Sequence, residues 1–71
     1  MENPIIELAT KIQKKYGENI ETRVVGKLGP DHCPEIHVEI ELPDGSIFRG
    51  KGNNQKIAKQ NAARKALKDL S

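Results

Sequence analysis

This sequence predicts an α+β domain with the order α-β-β-β-α, in which a three-stranded antiparallel sheet carries two helices packed on one face. Three observations predict it. Apolar residues recur at helical spacing near both ends of the chain, over 4–16 and over about 55–70. Between them Glu35–Leu42 alternates strictly, with Ile36, Val38, Ile40 and Leu42 on one face and Glu35, His37, Glu39 and Glu41 on the other. Pro43-Asp44-Gly45 then separates that run from another strand-like run, as a hairpin turn would. Helices flanking such a meander can share one face of the sheet and leave the glutamate-lined face in water.

In chain order, Asn3 is suited to cap a first helix and Pro4 to its first position. Ile5, Leu8, Ala9, Ile12 and Tyr16 fall on one face, and Gly17 can stop the helix. Thr10 and Gln13, three apart, lie together on a flank of that face. Residues 20–28 are rich in β-branched side chains and read as a strand, where Gly26 hints at a bulge or a close approach. Gly29-Pro30-Asp31-His32-Cys33-Pro34 is a loop by composition. Glu35–Leu42 and Ser46–Lys51 are the second and third strands. A second helix follows from 54 or 55 to 70, capped by Asn53 or Asn54.

Seventy-one residues make one domain, 1–71, with a small core. The single cysteine, Cys33, rules out an internal disulfide and makes an intracellular setting, cytoplasmic or nuclear, the expectation. No apolar run approaches the ~20 residues of a membrane span, and the start MENPIIEL lacks the basic and apolar blocks of a signal peptide. The net charge of +2 is unevenly placed. Residues 1–48 hold five Lys/Arg against nine acids, a net −4, and residues 49–71 hold seven Lys/Arg against Asp69 alone, a net +6. Segregated positive charge points to a polyanionic partner more than the total does.

That charge sits in GKGNNQKIAKQNAARKALKDL, Gly50 to Leu70, which reads as a flexible glycine entry, an Asn cap and a helix. Its apolar stripe runs through Ala58, Ala62, Ala63, Ala66, Leu67 and Leu70, and on a helical wheel Lys56 and Lys59 continue it. Cations do not belong where a helix packs on a core. The first turn and a half is therefore expected to overhang the core, with lysines beside a positive helix N-terminus, an arrangement that holds phosphate.

These residues resemble those of the double-stranded RNA-binding domain family over nearly the whole chain. Three blocks carry the resemblance. Helix one has Leu8 and Ile12 inward and Gln13 at the family's glutamine position. Gly29-Pro30-Asp31-His32 is similar to the family's Gly-Pro-x-His loop, with Ile36 where the family has an aromatic. Gly50-x-Gly52, then Asn54-Gln55-Lys56-Ile57-Ala58-Lys59 and the trailing alanines, resemble Gly-x-Gly-x-Ser-Lys-Lys-x-Ala-Lys. Gln55 stands for the first lysine of that run and Asn54 for its serine, while Thr10 sits where the family often has glutamate.

The resemblance implies a sequence-tolerant module for double-stranded RNA that spans minor, major and minor grooves, as one domain of a larger RNA-processing or regulatory protein. It implies phosphate contacts from Lys56 and Lys59 with added donors from Gln55, one minor groove met by Gln13 and Thr10, and the next by His32 on a loop stiffened by Pro30. The chain itself is expected to be no enzyme, although it can be the accessory domain of one, such as a ribonuclease. No cofactor, small-molecule substrate or membrane is expected. His32, Cys33 and His37 fall short of a zinc site, having no fourth ligand, and Cys33 lacks an orienting base. The strand-two glutamates read as solubility. The alternative function is a protein-interaction module, pairing with a protein partner or a second copy and binding RNA weakly or not at all.

Overall fold

The computed structural model describes residues 3–30 and 32–70; Asp31 of the Gly-Pro-x-His loop, and the terminal residues 1, 2 and 71, lie outside them. The first helix, α1, runs Pro4–Tyr16. Asn3 Oδ1 accepts from the Ile5 N–H at 2.9 Å, Pro4 opens the first turn where its missing N–H costs nothing, and Gly17 closes the helix in the left-handed region (φ 72°). The strands β1 (Glu21–Leu28), β2 (Glu35–Glu41) and β3 (Ile47–Gly52) form an antiparallel sheet in the order β1-β2-β3. The second helix, α2, runs Gln55–Leu70. The five elements and their order are those expected, with strand ends displaced by about one residue.

The β2–β3 turn is built locally. Gly45 N–H donates to Leu42 O at 2.9 Å, Asp44 Oδ1 accepts from Ser46 N–H at 2.9 Å, and Gly45 takes φ 92°. Tyr16 Oη donates to Asp44 Oδ2 at 3.2 Å and ties the end of α1 to this turn. The irregularity expected near Gly26 is present: Val24 pairs with Val38 and Gly26 with His37, leaving Val25 as the extra residue of a bulge.

Alternation in β2 is realised as read. Ile36, Val38, Ile40 and Leu42 face the helices and are buried. The core has two parts. Leu8 and Ile12 of α1 meet Ile40, Leu42, Ala62, Ala63 and Ala66, with Phe48, Leu67 and Leu70 at the margin. A smaller cluster joins Ile36 and Val38 to Ala58 and contains nothing from α1.

Two expectations need correction. The glycines before α2 do not form a flexible entry. Gly50 is buried in β3, and a Cβ there would lie 2.3 Å from Ala62 N and 2.5 Å from Ala58 O. The strand and helix backbones touch, and the glycine is required by that approach. The glutamate face is not simply wet either. Glu39 keeps a side-chain exposure of 10%, with Oε1 3.1 Å from Arg23 Nη2 and Oε2 2.9 Å from Arg49 Nε. Arg23 also reaches Glu41 Oε1 at 2.8 Å. Alternation assigned these carboxylates to the outer face; arginines from both neighbouring strands then cover the central one.

Candidate nucleic-acid interface

The amino end of α2 is built from a cap and a clash-free seat. Asn54 Oδ1 accepts from Ile57 N–H at 2.8 Å, and Asn54 O accepts from Ala58 N–H at 3.0 Å, which identifies Asn54 rather than Asn53 as the cap. Ala58 is fully buried against the sheet. Gln55 and Lys56 are exposed and Lys59 is half-buried. Neither lysine makes an ion pair among the described residues. Their charge therefore adds, uncompensated, to the positive end of the helix dipole.

The expected overhang is half right. The first turn of α2 does not project beyond the sheet, because Ala58 is docked on Val38 and Ile36. The difference lies in what α1 packs on: its inward residues Leu8 and Ile12 share a cluster with Ala62, Ala63 and Ala66, whereas Ala58, between Lys56 and Lys59, belongs to a cluster with no residue from α1. On the side of the helix that packs on α1 further along, Lys56 is thus exposed and Lys59 only half-buried.

The Gly29–Pro34 loop lies at this same end. Antiparallel register sets Leu28 against Glu35 and Ile36 against Gly52, so the loop leaves the sheet where α2 is about to begin. Cys33, Pro34, Gly52, Asn53 and Ile57 line one shallow depression. Gly29 takes φ 87° and a Cβ on it would lie 2.8 Å from Cys33 O, while Cys33 N–H donates to Pro30 O at 3.0 Å. This turn holds Pro30 and His32 exposed at its tip.

Thr10 and Gln13 occupy a separate depression with Ala9, Lys14 and Asn19. Both are exposed, so the helix-one pair is presented to solvent as expected. Thr10 Oγ1, however, donates to Ile6 O at 2.9 Å, so its donor is committed within the helix.

On the far face of the sheet, the charges are largely spent on one another. Hydrogen bonds from Arg23, then Arg49, hold the Glu39 carboxyl below its ordinary value, against the opposing effect of burial. Glu35, 3.0 Å from His37 Nε2 and 3.6 Å from Lys51 Nζ, is also lowered, first by His37 and then by Lys51. No group of three or more His, Cys, Asp or Glu residues suited to a metal occurs among the described residues. No helix of the described residues is long and apolar enough to cross a membrane.

Sequence reasoning passed over Asn61. Its Nδ2 donates to Lys51 O at 2.7 Å, and Arg64 Nη1 donates to its Oδ1 at 3.0 Å. A signal was present: asparagine is a poor helix former, and this one stands beside the alanine stripe.

The family profile described as "Double-stranded RNA binding motif" matches residues 4–70. Among similar proteins, a ribonuclease 3 of Natranaerobius thermophilus is 35% identical over 60 residues, covering 84% of this chain and 26% of the relative. A ribonuclease 3 of Nitratiruptor sp. is 40% identical over 58 residues, covering 82% and 26%. The chain therefore spans about a quarter of the length of these relatives. Among solved structures, the second double-stranded RNA-binding domain of DRB4 superposes with a TM-score of 0.68 at 24% identity, covering 90% of each chain, which shows the shared fold.

Proposed function

The chain belongs to the double-stranded RNA binding motif family, and on that premise we propose that it grips A-form RNA mainly through Lys56 and Lys59. A-form RNA has a major groove too deep and narrow for side chains and a wide minor groove lined with 2′-hydroxyls. A binder of such a duplex bridges phosphates across the first and touches hydroxyls in the second. Lys56 and Lys59 are the phosphate clamp, long point charges that tolerate different sequences, and Gln55 with the free amides of the first turn adds donors. His32, on a loop stiffened by Pro30, meets one minor groove. Gln13, able to donate and accept, meets the other with Thr10 beside it. The single observation that carries this reading is the pair of lysines without ion-pair partners on the uncovered side of the start of α2, next to the Gly29–Pro34 loop.

The module is one domain, 1–71, of a larger intracellular RNA-processing or regulatory protein. It raises the local concentration of RNA for whatever it is joined to.

The test is a gel-shift titration with RNA and DNA duplexes of about 20 base pairs, long enough for a footprint of roughly 16. Micromolar or tighter binding to RNA and none to DNA is expected. Lys56→Ala with Lys59→Ala should cost at least about tenfold in affinity and flatten the salt dependence with the fold intact. No shift at low salt, together with a dimer in solution, would favour a protein-interaction module instead.

A further inference from the structure

We propose that Asn61 is a positioning residue for the RNA clamp, fixing the roll of α2 on the sheet so that Lys56 and Lys59 reach phosphates together; the inference rests on the lysine clamp proposed above. The contact between β3 and the start of α2 is close but featureless. Gly50 has no room for a Cβ beside Ala58 and Ala62, and a Cβ on Gly52 would lie 2.5 Å from Ile57 Cγ2 and 2.9 Å from Ala58 N. On the helix side, the buried residues here are Ala58 and Ala62. Apart from Ile57 at the edge beside Gly52, the helix meets the bare strand through single methyl groups, which offer shallow ridges to hold it in one orientation.

A directional bond crosses this smooth contact. Asn61 Nδ2 donates to the carbonyl of Lys51, the residue between the two glycines, at 2.7 Å. Arg64 Nη1, 3.0 Å from Asn61 Oδ1, turns the amide so that its NH2 group faces the strand. With 3.6 residues per turn, Lys56 and Lys59 stand roughly 140° and 160° around the helix axis from Asn61. The tether and the ammonium groups thus act on opposite sides of the axis, and a roll about the Gly50 contact moves both lysine tips together. The packing on α1 restrains the second half of α2; without the tether the first half, packed on the sheet alone, shifts in roll and the two lysines cease to meet their phosphates at once.

The test exploits the fact that Asn61 carries no charge. The affinity of Asn61→Ala for an RNA duplex of about 20 base pairs is measured from about 50 to 200 mM salt, beside the wild type, the Lys56→Ala/Lys59→Ala double variant and the triple variant. Alanine favours the helix, so thermal unfolding monitors that the domain stays folded. Asn61→Ala is expected to weaken binding about three- to tenfold and to reduce the salt slope by about one, the signature of a lost phosphate contact. In the double-variant background, it should add nothing. Unchanged affinity overturns the proposal, and so does weaker binding with an unaltered slope, which marks a direct neutral contact with RNA. A double lysine variant that binds like the wild type takes down the clamp and this inference together. A double variant that loses affinity, beside an Asn61→Ala that keeps the wild-type slope, overturns this inference alone.

Discussion

The two halves of α2 use the same positions of the helical wheel in opposite ways. Residues seven apart lie two turns apart on nearly the same side of a helix. Lys56 and Lys59 in the first half correspond to Ala63 and Ala66 in the second, both fully buried, while buried Ala58 corresponds to exposed Lys65. Lysine and alanine trade places because the surroundings differ. The first half has only the sheet beneath it, through Val38 and Ile36. The second half leans on α1, through Leu8 and Ile12. The same helix thus has a stretch packed on both the sheet and α1 and a stretch packed on the sheet alone.

The most drastic way to break this comparison is to put the charge of the first half into the second. Ala66→Lys places an ammonium group at a fully buried site among apolar side chains. Burying an unpaired charge is among the few single changes that exceed the usual range of mutational effects. The variant is expected to lose more than about 4 kcal/mol, or to fail to unfold cooperatively, in urea titrations followed by circular dichroism. The reverse exchange, lysine to alanine at 56 and 59, is expected to leave the unfolding midpoint near the wild-type value. If Ala66→Lys were as stable as the wild type, the division of α2 would be wrong.

The sheet offers the same lesson in a milder form, since one face of β2 is apolar and the other holds paired charges. Folding lowers the Glu39 pKa, through Arg23 first and Arg49 second, from an ordinary value of 4.5. A lowered native pKa means that the unfolded chain binds more protons over that range, so stability rises with pH. The contribution is complete above about 4.5 and is lost as the pH falls through the native value; Glu35 and Asp44, also lowered, add in the same sense. Glu39→Gln should therefore melt below the wild type at pH 7, with the gap narrowing as the pH is taken toward 3. Its affinity for duplex RNA at neutral pH should not change, because Glu39 lies on the face away from α2. A gap independent of pH would show that the carboxylate contributes by shape alone.

What was legible beforehand follows the range of the interactions. Helix caps, the Asp44-Gly45 turn and the alternation of β2 are local, and each was readable from a few adjacent residues. That Lys56 and Lys59 stay out of the fully buried stripe was readable because a charge interrupting an apolar stripe contradicts its neighbours. The role of Gly50 was not, because a glycine in a strand looks permissive until Ala58 and Ala62 are known to lie across from it. Alternation placed Glu39 on the outer face correctly, but its burial depends on Arg23 and Arg49, sixteen and ten residues away. Asn61 contacts Lys51 ten residues back, across the turn into the helix. In each case the local rule gave the direction of the side chain, and pairing between elements decided its environment.

The finest distinction lies within α1, between two exposed residues proposed to meet the same minor groove. Gln13 has an amide with both donors and an acceptor to offer a ribose hydroxyl. Thr10 has already given its hydroxyl proton to Ile6 O at 2.9 Å, which leaves only acceptor capacity at the end of a short side chain. Breaking that internal bond to donate to RNA would exchange one hydrogen bond for another, with little net gain. Thr10→Val, which keeps the branched shape and removes the hydroxyl, should therefore change RNA affinity by less than about twofold. Gln13→Ala should cost about three- to fivefold, within the 0.5–1.5 kcal/mol of one ordinary hydrogen bond. Fluorescence anisotropy with one labelled duplex resolves the two. Equal losses would mean that the Thr10 hydroxyl turns away from Ile6 when RNA binds.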